Sequence, residues 1–300
     1  MNDVLWNIEN VLNWTSSYLN RFCPNSPRLD AELLLSYVLN CKRLELYLRA
    51  DKPLNKKELK VFRDLVKKRS NGCPVAYLTG FKEFWTLKLE VDENTLIPRP
   101  DTEILVEQTI KQIHLWQKKN PRSICEIVEL GTGTAAIPLS LCSELKNLRI
   151  IAVDCSKKIL KVALRNLNRY EALLDSRNNN VQLLESDLFS NINSNLKWDF
   201  IVSNPPYIPS YNIDKLQVEI ANYEPRKALD GGHDGLDFYR YLIEIGPSML
   251  KSDGEMLLEI GLFKESDLRS IIKKNRSWTS SCLIKDLRGF NRVWKLKKKT

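Results

Sequence analysis

The stretch Ile201-Val202-Ser203-Asn204-Pro205-Pro206-Tyr207-Ile208-Pro209 sets an amide side chain, two prolines and an aromatic ring directly after an apolar run that reads as a strand. Each proline fixes its own φ, donates no N–H and holds the residue before it extended, so Asn204 and Pro205 are rigidly presented. The wall they make is rich in acceptors: the Asn204 side-chain oxygen and nearby carbonyls, with the Tyr207 ring alongside. A planar group bearing –NH2 hydrogen-bonds to such acceptors and lies against the ring. The lone pair of such a group is delocalised, which makes it a poor nucleophile. Acceptors on both its hydrogens orient it and stabilise positive charge as the nitrogen attacks. No histidine or cysteine is required.

A second stretch, Glu129-Leu130-Gly131-Thr132-Gly133-Thr134-Ala135-Ala136, lies between the strand-like "ICEIV" and the helix-like "IPLSLCSEL". Glycines let the backbone approach a ligand, and the helix that follows offers free N–H groups. Asp154 ends the next strand, 23 residues after Gly131; its carboxylate can accept from both hydroxyls of a ribose. Asp187, in "SDLF" after a third strand, can reach an adenine amino group. Together these residues specify a bound nucleoside. "GTGTAA" also satisfies the G-x-G-x-x-G/A pattern of dinucleotide binders, and on its own such a pattern is weak. The electrophile that matches both an adenosine site and a nitrogen nucleophile is the methyl of S-adenosylmethionine, which makes N-methyl transfer by in-line displacement the expected chemistry.

The elements that must hold these residues follow from periodicity. "ICEIVEL", "RIIAVD", "VQLLES", "DFIVS" and "EMLLEI" read as strands alternating with helical segments, which predicts an α/β domain with a doubly wound parallel sheet over residues 99–300. Ligands in such sheets sit at the carboxyl ends of the strands. Residues 1–78 form a small helical domain, with one stripe at Leu29, Leu33, Leu34, Tyr37 and Val38 and another at Leu59, Phe62, Leu65 and Val66. Asn55 and Glu58 fit a helix start. Between the two lies a β linker, residues 79–98, where "EFWTLKLEV" sets Trp85, Leu87, Leu89 and Val91 against Phe84, Thr86, Lys88 and Glu90 as one half-buried strand. "LIPRPDTE" then stops the strand and starts a helix, with Asp101 or Thr102 as its cap. "SRNNN" reads as a loop.

Composition narrows the class. With 43% hydrophobic residues in 300, the chain can bury one large core and a satellite. No apolar run reaches the roughly 18 residues of a membrane span. The first twenty residues, with Asp3 and Glu9, resemble neither a signal nor a transit peptide, so a cytoplasmic protein is expected. Seven cysteines without a CxxC pair read as reduced thiols in the core, with no disulfide framework or zinc site. His233 reads as a surface residue. The net charge of +9 is carried by the ends: residues 1–78 hold 13 basic against 8 acidic side chains and residues 285–300 hold 7 against 1, including the tail "KLKKKT". Such ends suit nucleic acid or an acidic protein, or are simply solvated.

Across nearly its whole length the sequence resembles the HemK-type glutamine N5-methyltransferases of class I peptide chain release factors. The resemblance rests on "YLTGFKEFW", "LIPRPDTEILVE", "ELGTG", "SDLF", "SNPPYIP", "YEPRKALDGGHDGLDFYR" and "LLEIG" in that order. It implies a Rossmann-like class I methyltransferase domain, S-adenosyl-L-methionine as cofactor, and a helical domain joined by a β-hairpin linker. Glu129, Leu130, Gly131, Thr132 and Gly133 would line the cofactor, Asp154 would bind its ribose, and Asp187 with Leu188 would border its adenine, with Asn204 between cofactor and substrate. Asn204 and the Pro205 carbonyl would hold the substrate glutamine amide of a Gly-Gly-Gln loop, shaped by Pro206 and Tyr207. "PRPDT" (98–102) looks like the segment that closes over the cofactor. Two positions depart from the family: Glu129 stands where Asp is usual, and Ala135 where Gly is usual. The partner implied is the release factor, gripped in part by residues 1–78, with a monomeric enzyme and no requirement for nucleic acid or membrane.

Other readings share parts of this pattern. An adenine-N6 DNA methyltransferase has the same Asn-Pro-Pro-Tyr, but no target-recognition insert is visible here. An NAD oxidoreductase leaves Asn204 to Tyr207 unexplained. A non-catalytic nucleic-acid-binding relative predicts salt-sensitive binding without methyl transfer.

Overall fold

The computed structural model describes residues 6–261, 265–273 and 275–299; Asp3 and the Thr300 that ends "KLKKKT" lie outside them. The chain divides into two compact units, Met1–Phe81 with Gln217–Tyr223, and Lys82–Leu216 with Glu224–Thr300. The first unit contains helices α1 (Ile8–Leu19), α2 (Pro27–Leu39), α3 (Arg43–Leu48), α4 (Lys56–Ser70) and α5 (Val75–Thr79), and receives the short α10 (Val218–Ala221) from the returning segment. Asn55 caps α4 with a reciprocal Glu58 bond, as the spacing predicts. Its core is Ile8, Leu12, Leu34, Leu35, Phe62 and Val66. The stripe expected on α2 holds in part: Leu34 is buried and Val38 packs on the core, but Leu29, Leu33 and Tyr37 are exposed, and Ala31 and Leu35 are buried in their place. Helix α2 is apolar on more than one face, so spacing alone did not choose between them.

One charged group is buried in this unit. Arg69 donates from Nε to Asp30 Oδ2 at 2.7 Å and also pairs with Glu219, and both Arg69 and Asp30 are buried. Burial disfavours the guanidinium, but the two carboxylates outweigh it and hold its pKa above the ordinary value.

In the second unit, β1 (Phe81–Phe84) and β2 (Leu87–Glu90) form a hairpin. The single strand expected over 83–91 is therefore broken at Trp85, whose φ is +55°. The turn reverses the chain and puts Phe84 inside with Leu87 and Leu89. Trp85 is held there by its N–H on Glu103 Oε1 and its indole Nε1 on Glu144 Oε1, both at 2.8 Å. Nothing in the local alternation signals those partners.

The main sheet contains β3 (Cys125–Leu130), β4 (Leu148–Asp154), β5 (Asn180–Glu185), β6 (Trp198–Ser203), β7 (Leu250–Glu259), β8 (Trp278–Lys285) and β9 (Asn291–Lys298), in the order β5-β4-β3-β6-β7-β9-β8. The pairings from β5 to β7 are parallel, while β7–β9 and β8–β9 are antiparallel. The expected parallel sheet is thus completed by an antiparallel C-terminal hairpin. The "KLKKKT" segment belongs largely to β9, where Trp294 and Leu296 are buried between lysines 295 and 297. That alternation was hidden by the lysine surplus.

Helices α6 (Glu103–Lys119), α7 (Ala136–Glu144), α8 (Lys157–Arg169), α9 (Glu171–Ser176), α11 (Asp237–Met249) and α12 (Glu265–Ile272) complete the unit. The pleat of β3 sends Ile127 into one apolar cluster and Val128 and Leu130 into another. Strands buried on both faces read as continuous apolar runs, and all six residues of β6 are buried. Each such Leu, Ile or Val contributes roughly 1.5–3 kcal/mol. In "SRNNN", Ser176 ends α9 and Asn180 begins β5, while Asn179 is buried and bonded to Leu148, Cys142 and Leu145. Cys155 and Cys282 are exposed, not in the core as expected.

Removing Arg69 leaves Asp30 buried without its cation. We expect Arg69→Ala to cost about 3–5 kcal/mol, read as a lower urea midpoint; an unchanged midpoint would mean that the pair contributes nothing net.

Candidate active site

β3 is flanked by β4 on one side and β6 on the other, so the chain reverses its progression across the sheet there and opens a crevice at the strand ends. The glycine loop lies at the end of β3. Gly131 and Thr132 donate to Val153 O at 2.9 and 2.8 Å, which ties the loop to β4. Gly131 and Gly133 have φ of +76° and +55°, and a methyl built on Gly133 would meet nothing within 4 Å. The loop backbone is therefore open to a ligand. Ala135 stands at φ +61°, the left-handed conformation that glycine adopts without strain. Its methyl is nonetheless fully buried.

Asp154 ends β4 as predicted. Its Oδ2 accepts from Gly133 N at 2.9 Å and its Oδ1 from Cys155 N at 2.8 Å, leaving acceptor capacity on both oxygens. Burial raises its pKa, opposed by those two N–H groups. Asp187, after β5, is exposed, and Leu188 beside it has φ +48°.

Glu129 is only 2% exposed, and burial lifts its carboxyl to about 8, with the Thr132 hydroxyl opposing and the Asp154 charge reinforcing the shift. Its Oε2 and the Thr132 Oγ1 are buried with no hydrogen-bond partner among the described residues. A buried polar atom without a partner costs about 1–3 kcal/mol, and although Thr132 lies near enough to oppose the Glu129 shift, both atoms keep hydrogen-bonding capacity that a ligand can use. An open glycine cradle, an unpaired acid and an unpaired hydroxyl at the end of β3, with a carboxylate at the end of β4, fit a nucleoside that carries positive charge.

Asn204 begins directly after β6. Ser203 Oγ on Leu130 O at 2.7 Å locks the ends of β6 and β3 together, and a methyl on Gly131 would come within 4.0 Å of Asn204 O. The two predicted stretches therefore converge. The Asn204 Nδ2 donates to Thr102 Oγ1 at 3.1 Å. With its nitrogen engaged, the side-chain Oδ1 is the atom left for a ligand. Pro205 is buried, and Pro206 and Tyr207 are half-buried. Burial raises the Tyr207 phenol, with the nearby Glu259 charge adding to it.

One support of the site reads in the sequence as a helix cap, and the others carry no signal there. Thr102 precedes α6 but makes no side-chain cap; its hydroxyl serves Asn204 instead. The turn that carries it, Pro100–Thr102, is pinned by Asp101 to Arg292 at 3.0 Å, and the preceding Arg99 pairs with buried Glu224 at 2.7 Å. "ALDGG" clamps the other side: Ile208 N donates to Leu229 O and Gly231 N to Ile208 O, and a methyl on Gly231 would lie 2.8 Å from Tyr207 Cα. Only glycine fits there. Asn166 on α8, wholly buried, bonds both Glu90 and the Thr134 carbonyl, fixing the exit of the glycine loop. His233 is exposed, as expected.

The fold and site together define a methyltransferase of the Rossmann-like class. The hMettl16 catalytic domain, solved with an RNA hairpin, is 14% identical, covers 95% of this chain and 91% of that chain, and gives a TM-score of 0.53, a likeness in fold. Residues 10–80 match the PrmC N-terminal domain model and residues 108–222 the methyltransferase small domain model. The release factor glutamine methyltransferase of Rhodopirellula baltica is 35% identical over 299 residues, 99% of this chain and 98% of its own length; that of Geobacter sulfurreducens is 36% identical over 290 residues, 96% of each. The chain belongs to the release factor glutamine methyltransferase family.

The buried Glu129 has a thermodynamic signature. Its folded pKa of about 8 lies above the ordinary 4.5, so its contribution to stability is full below about pH 4.5 and is lost as pH rises through 8. Glu129→Gln, which cannot ionise, should gain several degrees in Tm over the wild type as pH goes from 5 to 8 in ligand-free protein. A pH-independent difference would mean that Glu129 does not titrate with a raised pKa.

Proposed function

We infer that this protein transfers a methyl group from S-adenosylmethionine to the side-chain amide nitrogen, N5, of the glutamine in the Gly-Gly-Gln loop of class I peptide chain release factors. The observation that supports this is the Asn204 to Thr102 hydrogen bond at 3.1 Å, which engages the Asn204 nitrogen and leaves its carbonyl oxygen for a ligand. Bound on Glu129 to Gly133, Asp154, Asp187 and Leu188, S-adenosylmethionine supplies a methyl group on a positively charged sulfur. The chain's own residues do the rest. Asn204 Oδ1 and the Pro205 carbonyl accept both hydrogens of the substrate amide, fix its plane, and stabilise the positive charge that grows on nitrogen. Pro206 and Tyr207 narrow the slot to a planar group and keep water from it. The amide nitrogen would take the methyl as its bond to sulfur breaks and give up one N–H proton to solvent on product release; the substrate nitrogen is the nucleophile, so no side chain need act as one.

The helical unit is the second grip on the factor. Trp14 stacks on Tyr18 at 5.1 Å on α1, Tyr18 meets Phe22 just beyond the helix at 5.2 Å with the rings tilted, and Trp14 and Phe22 are exposed. Such a ladder, on a basic unit, suits a protein surface with acidic and apolar groups. A release factor as substrate suits the cytoplasm and leaves no need for nucleic acid, and no described helix is long and apolar enough to cross a membrane.

The test is transfer of labelled methyl to a purified release factor, to its Gln→Ala variant in the Gly-Gly-Gln loop, and to duplex DNA. Label is expected on the wild-type factor alone, falling about 10²–10³-fold with Asn204→Ala; label on DNA would overturn the assignment. In the same assay Trp14→Ala with Phe22→Ala should raise KM for the factor while leaving kcat unchanged. A fall in kcat with KM unchanged would remove the helical unit from substrate binding.

A further inference from the structure

Glu259 ends β7, 1% exposed, and neither of its carboxylate oxygens has a hydrogen-bond partner among the described residues. The groups around it come from every neighbouring element. The Thr102 hydroxyl and Asp101 face it from the turn before α6, Tyr207 from the stretch after β6, and Arg292 from β9. Tyr239 on α11 bonds its backbone carbonyl at 2.8 Å. Arg292 is itself engaged by Asp101 at 3.0 Å and Asp286 at 3.1 Å. The acid thus stands beside the hydroxyl that holds the Asn204 amide, with no salt bridge of its own.

A threonine hydroxyl has one hydrogen and two lone pairs. Because Thr102 Oγ1 accepts from Asn204 Nδ2, its hydrogen is free to be given elsewhere. An ionised Glu259 can only accept, and the Thr102 hydroxyl, with that of Tyr207, faces it as a donor that favours the ionised form. We propose that Glu259 is a positioning residue: by accepting from Thr102 it fixes the direction of the chain Asn204 Nδ2–H to Thr102 O–H to Glu259, and so keeps the Asn204 carbonyl facing the substrate amide. This rests on the function proposed above. When Glu259 takes up a proton it becomes a donor to Thr102. The Thr102 hydrogen then turns to Asn204, which favours the flipped amide, with –NH2 facing the –NH2 of the substrate. Two donors facing one another hold nothing.

Burial lifts the Glu259 carboxyl to about 7, with Asp101 adding to the shift and Thr102, Arg292 and Tyr207 opposing it. The productive, ionised state is therefore lost as pH falls through about 7. Single-turnover methyl transfer should fall about tenfold per pH unit below that point. The acidic limb should vanish in Glu259→Gln and in Thr102→Val, and return in Thr102→Ser, which keeps the hydroxyl. Bound adenosylhomocysteine in each variant checks the fold.

A second arm does not depend on activity. In protein with labelled glutamate carboxyls and asparagine amides, the Asn204 side-chain resonances should follow the Glu259 titration near pH 7, and should cease to do so in Thr102→Val. A limb that persists in Glu259→Gln or Thr102→Val, or Asn204 resonances indifferent to Glu259, would overturn the proposal. If no methyl reaches the release factor from the wild type, the functional reading fails, and the resonance arm still decides the role of Glu259.

Discussion

An asparagine amide is nearly symmetric in shape and opposite in chemistry at its two ends, so a site built on one works only if something decides which end faces the ligand. Here the decision passes through one hydroxyl, whose own hydrogen must be held elsewhere. Thr102 takes the Asn204 nitrogen, and the rest of the unit is arranged so that Thr102 is there to take it. Salt bridges from Arg99 and Asp101 hold the proline-rich turn; prolines 205 and 206 restrict the backbone after Asn204; the "ALDGG" backbone closes behind Tyr207. Loss of that one orientation would leave the pocket shape intact and reverse its polarity.

The second constraint is electrostatic. Glu129 and Glu259, at or near the ends of β3 and β7, are acids taken out of water without cations bound to them, and both are harder to ionise for it. Such groups cost stability, and they persist where a ligand or a reaction needs them. For Glu129 a positively charged ligand at the glycine loop is the natural compensation. For Glu259 the partner is internal, the hydroxyl that orients Asn204. The fold supplies the low dielectric that makes both effects large.

Much of this was legible in the sequence. The central strands β3 and β6 stand out as apolar runs because strands buried on both faces need no polar alternation, and the residues at the strand ends fall where such sheets bind ligands. Asn204, Asp154 and the glycine loop stand at the ends of β6, β4 and β3 for that reason. What could not be read depends on contacts between distant segments. Thr102 looks like a helix cap, and only the fold brings Asn204 to it from 102 residues away. Trp85 turns a strand into a hairpin at a positive φ that no glycine or asparagine announces. The exposed Leu29 and Leu33 show the limit of periodicity on a helix with two apolar faces. Glu259 sits in a short apolar run whose lone acid carries no signal until its burial is known.

The central claim, that the Asn204 carbonyl faces the substrate amide while its nitrogen stays on Thr102, is tested most directly by neutron diffraction. The crystal would be a deuterium-exchanged complex with adenosylhomocysteine and a Gly-Gly-Gln peptide, in which the amide deuterons are visible. The account predicts both Asn204 deuterons on the nitrogen nearest Thr102 and the glutamine nitrogen within hydrogen-bonding distance of Asn204 Oδ1. Deuterons on the end that faces the glutamine, or a glutamine bound away from Asn204, would contradict it.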